Sequence, residues 1–341
     1  MTRISSPARA AATSRRDVPV DTLRGIACIL LVTMHVIGFD DHSGIAVPDD
    51  SAFRWYAESF IYLRMPLFTF LAGFVYAWRP VGPGTYRLFM GKKIRRLLIP
   101  YVIFVALIGI MQTALPGANN PTDLAPWQWF VYSLSPYWFL ISTFWIFAVV
   151  ALLDSYRLLE RWYVLAAVGI ALIVINLAIN PGEKTVLQWG NSLTLAPFFI
   201  VGIMAHRFQW ARMPRWAAIV VSAAVVVLFA YTQLGFAGVV PVVNSRHDLL
   251  GVLLGALFPV ACLSWRLGWS PLARLGAYSS GIFLLHPFAV AGTREIFERL
   301  HVTDDVVLFV ICSVIGILLA AWGTRILKRY RPGRFVLGEK V

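Results

Sequence analysis

Ten apolar stretches, each long enough to cross a lipid bilayer, divide this chain. A span must pair all of its backbone groups internally, which an α-helix of about 20 residues does. Of the 341 residues, 59% are hydrophobic and 14% are charged, whereas soluble domains have about 25% charged residues. We therefore predict an all-α, polytopic membrane helix bundle of about ten transmembrane helices. The predicted spans are 22–39, 55–78, 94–115, 136–154, 162–180, 191–208, 214–234, 247–267, 271–293 and 305–327.

Lysine and arginine are distributed unevenly between the loops that connect these spans. Most of the 30 basic residues fall in loops on the same side as the N-terminus. Because basic residues are enriched in cytoplasmic loops, this bias and the even number of spans predict that both termini are cytoplasmic. The net charge of +13 then reflects membrane topology, and no nucleic-acid partner is expected. We divide the chain into a cytoplasmic tail (1–20), a membrane domain (21–330) and a second cytoplasmic tail (331–341).

The first predicted span carries two ionisable side chains, Arg24 near its start and His35 near its end. At 100° per residue their separation amounts to three turns plus about 20°, so both project from one face, about 16 Å apart along the axis. An ionisable group in a bilayer costs about 2.5–3.5 kcal/mol on insertion scales and usually faces a bundle interior or a water-filled cavity. A structural histidine is the alternative for His35, but the matched arginine favours a reaction path or a transport path along this helix.

Two further ionisable residues are predicted at a similar depth. His286 lies about as far into the ninth predicted span as His35 lies into the first, and Arg64 lies near the middle of the second. We therefore predict a cluster of these three side chains, with Arg64 in a salt bridge or a lid as the alternative. Because Pro287 leaves a backbone carbonyl without its helical donor, a structural role for His286 at that carbonyl is an equal alternative.

A basic cluster, Lys92, Lys93, Arg95 and Arg96, lies at the predicted cytoplasmic end of the third span. Such clusters commonly set topology and contact lipid head groups. Ammonium and guanidinium groups also bind phosphates, so the second interpretation is a docking site for an anionic cytosolic ligand. Together with Arg24 on the same side, the cluster suits a phosphate-bearing donor whose reactive end enters the membrane.

Metal chemistry is not indicated by the sequence. The three cysteines, Cys28, Cys262 and Cys312, lie singly in apolar segments, which is typical of small side chains that fill a core. No His-Glu-x-x-His motif, glycine-rich phosphate loop or Gly-x-Ser-x-Gly motif occurs. We therefore expect no metal site.

Several short blocks, taken in order, resemble the acyltransferase type 3 family of membrane-bound O-acyltransferases. Each block is short, and it is their order, their spacing and the ten-span topology that make the resemblance specific over roughly residues 18–330. The blocks are 21–27 with His35, 64–74, 93–100, 137–140, 199–202 and 284–287.

The resemblance implies transfer of an acyl group, usually acetyl, from cytosolic acyl-CoA to a hydroxyl of a carbohydrate or glycolipid at the outer face. In that case Arg24 and the basic cluster hold the CoA phosphates, and His35 acts as general base. His286 or Arg64 stabilises the oxyanion. Acyl-CoA, expected to be acetyl-CoA, is then a substrate, and no bound cofactor is expected. We also expect a multi-pass protein of a bacterial inner membrane that contacts lipid.

Two alternatives stay open. An acyl-histidine intermediate would replace direct transfer. A transporter or flippase for a lipid-linked or anionic solute would also place Arg and His within the membrane. Transporters often contain internal repeats and paired broken helices, which this sequence does not indicate, so the enzyme is favoured. The sequence leaves the acyl group, the acceptor sugar and the oligomeric state open.

Overall fold

The computed structural model describes residues 17–114, 121–179, 185–241 and 248–341, and within these ranges the regular structure is helical, with no strand. A proline lies in the first turn of the short helices Ser270–Gly276 and Arg331–Val336, and the Ser51 side chain caps Ala52–Ser59. The α-helices are α1 (Val18–Ile37), α2 (Ala52–Ser59), α3 (Arg64–Tyr76), α4 (Tyr86–Lys93), α5 (Ile99–Ala114), α6 (Gln128–Tyr132), α7 (Trp138–Ser155), α8 (Trp162–Ile179), α9 (Trp189–Arg207), α10 (Arg215–Phe236), α11 (Leu249–Ser264), α12 (Ser270–Gly276), α13 (Ser279–Arg299), α14 (Asp305–Leu327) and α15 (Arg331–Val336).

Seven helical stretches in the described part of the chain are long and apolar enough to cross a membrane. The pair formed by α12 and α13 gives an eighth if it is counted as one bent span. Helices α8 and α11 coincide with two further predicted spans but have shorter apolar segments. The all-helical class and the multiple apolar helices are confirmed, whereas the count of ten and the cytoplasmic termini stay predictions.

The ninth predicted span is not one continuous helix, as the prediction of 271–293 assumed. It breaks after α12, the chain bends by 77°, and α13 then continues to Arg299. The first part of the bent pair, α12, lies in direct backbone contact with α1, because a Cβ at Gly276 would lie 1.9 Å from Asp21 O, and one at Gly25 would lie 2.3 Å from Leu272 O. Only glycines allow α12 to pack this closely across the start of α1.

The third predicted span also begins earlier than residue 94. Helix α4 runs into a π-helical turn, Ile94–Leu98, in which Ile99 N–H donates to Ile94 O. Pro100 lacks the N–H that would donate to Arg96 O, so the helix accommodates it with a wider turn. Lys92 and Lys93 therefore precede this wider turn and Arg95 and Arg96 lie within it, all inside the helical stretch Tyr86–Ala114.

Helices α3 and α9 also pack backbone against backbone, next to α1. A Cβ at Gly73 would lie 2.0 Å from Phe199 O, and a Cβ at Gly202 would lie 2.1 Å from Phe70 O. Small residues at such positions allow membrane helices to pack backbone against backbone. Since α1 also contacts α3, this pair fixes the wall against which the first helix packs.

The C-terminal segment packs against the membrane domain. Leu337 is buried in the main apolar cluster, and Lys328 Nζ lies 2.8 Å from Glu339 Oε1. Gly338, which has a φ of 69°, places its backbone against Arg95 O. The segment 331–341, predicted as a tail, therefore covers part of the basic cluster.

Candidate active site at the histidine pair

The side chains of His35 and His286 meet between α1 and α13. Their ring centroids lie 4.8 Å apart, and the rings are inclined by 76°. His286 is 0% exposed and His35 is half-buried. Phe39, in the turn after α1, packs edge-on against the His35 ring at 5.7 Å. The structure thus brings together the two histidines whose depths match in the sequence.

Each histidine uses its Nδ1 atom to bind a backbone carbonyl of its own helix. His35 Nδ1 lies 2.8 Å from Leu31 O, and His286 Nδ1 lies 3.0 Å from Ile282 O and 2.9 Å from Phe283 O. Because a carbonyl oxygen only accepts, Nδ1 of each neutral ring must carry the proton. Each Nε2 therefore presents a lone pair.

The carbonyl of Phe283 is the one that Pro287 leaves without an N–H donor, four residues along the helix. His286 Nδ1 donates to this oxygen and so replaces the lost helical bond. His286 thus has the structural role that was considered as an alternative for it. This role uses only Nδ1, however, and it fixes the ring so that Nε2 remains available.

Both Nε2 atoms are buried, and neither has a hydrogen-bond partner among the described residues. A buried acceptor without a donor costs about 1–3 kcal/mol, so a group with an O–H or N–H at this place would be stabilised. Either Nε2 atom can accept a hydrogen bond from a hydroxyl that reaches it.

Arg64 is the first residue of α3 and is only 8% exposed. Its guanidinium is close enough that its charge acts on the His35 ring. Of the predicted cluster, the two imidazoles are in contact, and the Arg64 charge acts on His35 from nearby.

Arg24 lies at the other end of α1 and forms an ion pair. Its Nη1 atom is 2.9 Å from Asp21 Oδ1, three residues earlier in the helix. The arginine side chain is 30% exposed, so the pair is open to solvent on one side. Arg24 is thus held in place near the start of the helix that carries His35, but it does not contact the histidine pair.

The four members of the basic cluster have different surroundings. Lys92 and Arg96 are exposed, whereas Arg95 is half-buried under the C-terminal segment. Lys93 turns inward, with Nζ 3.2 Å from the centroid of the Phe147 ring. Such a cation–π contact is worth about 2 kcal/mol or more when desolvated, which gives Lys93 a structural role in addition to any ligand contact.

Sequence reasoning missed two arginines that hold the loop between α1 and α2. Arg54 is only 4% exposed and donates through Nη1 to Gly38 O at 2.6 Å. Arg294, on α13, donates through Nη1 to Gly44 O at 2.7 Å. Hydropathy alone does not reveal which carbonyls a basic side chain will meet, so the sequence does not single out either residue.

The same loop carries acidic side chains on its outer surface. Hydrogen bonding by the Ser43 hydroxyl holds the pKa of the Asp40 carboxyl below its usual value, so this carboxylate stays charged at neutral pH.

Within the part of the chain that the structure describes, no three His, Cys, Asp or Glu side chains group closely enough to hold a metal ion.

A second missed contact links the histidine pair to α7. Tyr137 is completely buried, and its hydroxyl donates to Leu284 O at 2.8 Å, two residues before His286. The segments 137–140 and 284–287, which are far apart in the sequence, therefore meet beside the candidate site. The only sequence signal for this contact is the presence of both segments among the short blocks.

Comparison with known proteins gives two matches. A family model described as an acyltransferase domain, that of the acyltransferase 3 family, matches residues 18–325. The chain is also similar to the nodulation protein NolL of Sinorhizobium fredii, with 26% identity over 195 residues that cover 57% of this chain and 50% of the relative. The chain thus spans about half the length of that curated relative. No solved structure matches it significantly.

Proposed function

Because the chain belongs to the acyltransferase 3 family, we propose that it transfers an acyl group from acyl-CoA to a carbohydrate hydroxyl. It is an integral membrane protein with several apolar helices, so the reaction takes place within or beside the bilayer. Acetyl is the proposed acyl group, and a sugar of a surface glycan or glycolipid, reached from the outer face of a bacterial inner membrane, is the proposed acceptor.

The observation that carries this proposal is the pair of buried, unpartnered Nε2 atoms of His35 and His286. An acceptor hydroxyl between α1 and α13 can donate its proton to one of them. Their tautomers, fixed by backbone carbonyls, prepare both rings for this task. We assign the general base to His35, and His286 orients the hydroxyl from the other side.

The proposed transfer is direct. The acceptor oxygen bonds to the thioester carbonyl carbon while His35 Nε2 takes its proton. The carbon–sulfur bond then breaks, its electrons leave with the sulfur of CoA, and the proton passes from His35 to that sulfur. An ester and a free thiol result, with no further reactant consumed. The positive charge of Arg64 beside His35 would stabilise the oxyanion that forms in between.

The donor is proposed to enter from the opposite end of α1. Arg24 lies there, about 16 Å along the helix axis from His35. The exposed side chains of Lys92 and Arg96 offer further cations for the CoA phosphates. Charged groups at one end of the helix and a base at the other suit a long donor whose thioester reaches into the bundle.

The first experiment measures transfer directly. Protein in phosphatidylcholine proteoliposomes receives radiolabelled acetyl-CoA and a glycolipid extract, and mass spectrometry identifies the modified sugar. Because a positioned base contributes about 10²–10⁴-fold, His35→Ala should lower kcat at least about 100-fold with normal folding. His42→Ala, which removes an exposed histidine of the neighbouring loop, is the matched control and should keep the wild-type rate.

Wild-type turnover by folded His35→Ala would show that the base is assigned wrongly. Uptake of a labelled solute into the vesicles without any covalent label on glycan would instead support a transporter and overturn the proposed function.

A further inference from the structure

A cavity of about 260 Å³ lies away from the histidine pair, among the ends of four helices. The first turn of α1 and the C-terminal ends of α3, α9 and α11 surround it. By the distribution of basic residues these ends face the cytoplasm. The side chains that matter most for a ligand are those of Trp78, His206, Arg212 and Arg266.

One wall of the cavity is aromatic. The His206 ring packs edge-on against Phe74 at 5.2 Å and lies 6.4 Å from the ring of Trp78. These contacts fix the tryptophan, yet it is 43% exposed. A fixed and accessible indole face is a stacking surface for a planar base, and base–aromatic stacking is worth about 1–3 kcal/mol.

Two arginines also line the cavity. Arg212 follows α9 in a short 3₁₀ turn, and Arg266 follows α11 in a left-handed backbone conformation, with a φ of 49°. Both side chains are exposed and converge on the same cavity. The carboxylate of Asp17 also lines it, but this group caps α1 by accepting from Val20 N–H. Two guanidinium groups are a common arrangement for a phosphate.

We propose that this cavity binds the adenosine 3′-phosphate end of the CoA donor, with the adenine on Trp78 and the phosphate between Arg212 and Arg266. The inference rests on the proposed function. A whole small-molecule site usually measures about 300–1,000 Å³, so a cavity of 260 Å³ suits one end of a long ligand. From Asp17 the helix rises about 27 Å to His35, which the remaining arm of the donor must bridge.

The basic cluster lies on another side of α3. Tyr76 contacts Phe89 of α4, and at 100° per residue it points about 200° away from Phe74, which lines the cavity. The cavity and the exposed Lys92 and Arg96 therefore lie on different sides of α3. We assign the adenine base and the sugar phosphate of the donor to the cavity.

The test compares two donors that differ in one phosphate. Loss of a charged partner weakens binding by about tenfold, so Arg212→Gln and Arg266→Gln should each raise the KM for acetyl-CoA about tenfold at unchanged kcat. The KM for 3′-dephospho-acetyl-CoA should hardly change. Trp78→Leu should raise both KM values. Arg215→Gln, at the exposed start of α10 and outside the cavity, is the matched control and should change neither.

Binding of CoA and of 3′-dephospho-CoA, measured by calorimetry in phosphatidylcholine nanodiscs, does not need turnover. If the two arginine variants lose affinity for CoA but not for 3′-dephospho-CoA, the cavity assignment is supported. This holds even if no acyl transfer is found, because that result would contradict only the proposed function. Equal affinities in variants and wild type overturn the assignment and leave wild-type transfer unaffected. If the arginine variants bind CoA as the wild type does and differ from it only in their affinity for phosphatidylglycerol, the cavity holds a lipid head group and the assignment is wrong.

Discussion

The hydroxyl of Tyr137 donates a hydrogen bond of 2.8 Å to Leu284 O, within the turn of α13 that carries His286. This single bond joins the start of α7 to the histidine pair across a large distance in sequence. The next turn of α13 begins at Pro287, where the helical bonding is interrupted. The position of His286 therefore depends on a partner outside its own helix.

Tyr137→Phe should remove this bond and keep the apolar contacts of the ring. A buried hydrogen bond contributes about 1 kcal/mol, so we expect a small loss of thermal stability and a clear fall in kcat. Thermal unfolding and the transfer assay check both effects. Tyr156→Phe, at an exposed tyrosine, should change neither, and an unaltered kcat in Tyr137→Phe would contradict the coupling.

Pro287→Ala should separate stability from activity. The new N–H at position 287 can donate to Phe283 O and so competes with His286 Nδ1 for that carbonyl. Since proline inside a helix costs about 3 kcal/mol, α13 should become no less stable while kcat falls. Pro259→Ala, within α11, is the comparison and should retain the rate of transfer. Full activity of Pro287→Ala would mean that the carbonyl does not orient His286.

Gly73→Ala should disrupt the packing of α3 against α9. Its Cβ would lie 2.0 Å from Phe199 O, which only a shift of backbone relieves. We expect loss of several °C in the unfolding temperature or failure to accumulate in the membrane. Gly292→Ala is the control, because no atom lies within 4 Å of the new Cβ. Alanine should stabilise that helix by about 0.5–1 kcal/mol, and equal behaviour of the two variants would argue against backbone contact.

Arg54→Ala should release the loop between α1 and α2. The change leaves Gly38 O, at the end of α1, without its buried donor, and such a loss costs about 1–3 kcal/mol. Amide exchange in the loop should become faster, which hydrogen–deuterium exchange with mass spectrometry detects. Arg299→Ala removes only an exposed ion pair with Glu295, so its exchange should match the wild type. Unchanged exchange in Arg54→Ala would show that the loop is held elsewhere.

Lys93 and Lys92 should respond differently to loss of charge. Lys93→Met removes the cation over Phe147 but keeps the length of the side chain, so we expect lower stability as the main effect. Lys92→Met removes an exposed charge and should mainly raise the KM for the donor. Unfolding temperature and KM measured on both variants decide the matter. A raised KM without loss of stability in Lys93→Met would assign this lysine to the donor instead.

Much of the helical architecture could be predicted because lipid permits few alternatives. Apolar stretches of the right length must become helices, and the matched positions of His35 and His286 give the two rings the same depth if both helices run in the same direction. The contact of the rings also requires that α1 and α13 pack side by side, which only the structure shows. The chemical roles of both residues stay predictions.

The features that the sequence did not predict depend on contacts between distant backbones. The bend of 77° before α13 accompanies the backbone contact of Gly276 with Asp21 O, and no hydropathy pattern records that contact. The inward position of Lys93 likewise depends on the ring of Phe147, which belongs to α7 and is distant in the sequence. A lysine at the end of a span usually extends its ammonium group into water, and only the contact with the aromatic rings shows that Lys93 does not.

The glycine contact between α1 and α12 also limits how the molecule can work. Sliding or turning α1 would drive its backbone into that of α12 at Gly25 and Gly276, so the height of His35 in the bilayer is set once, at assembly. Both reactants must then travel to a stationary imidazole. Helix movements that admit the reactants and release the products are left to peripheral segments such as α10, most of whose surface faces outward.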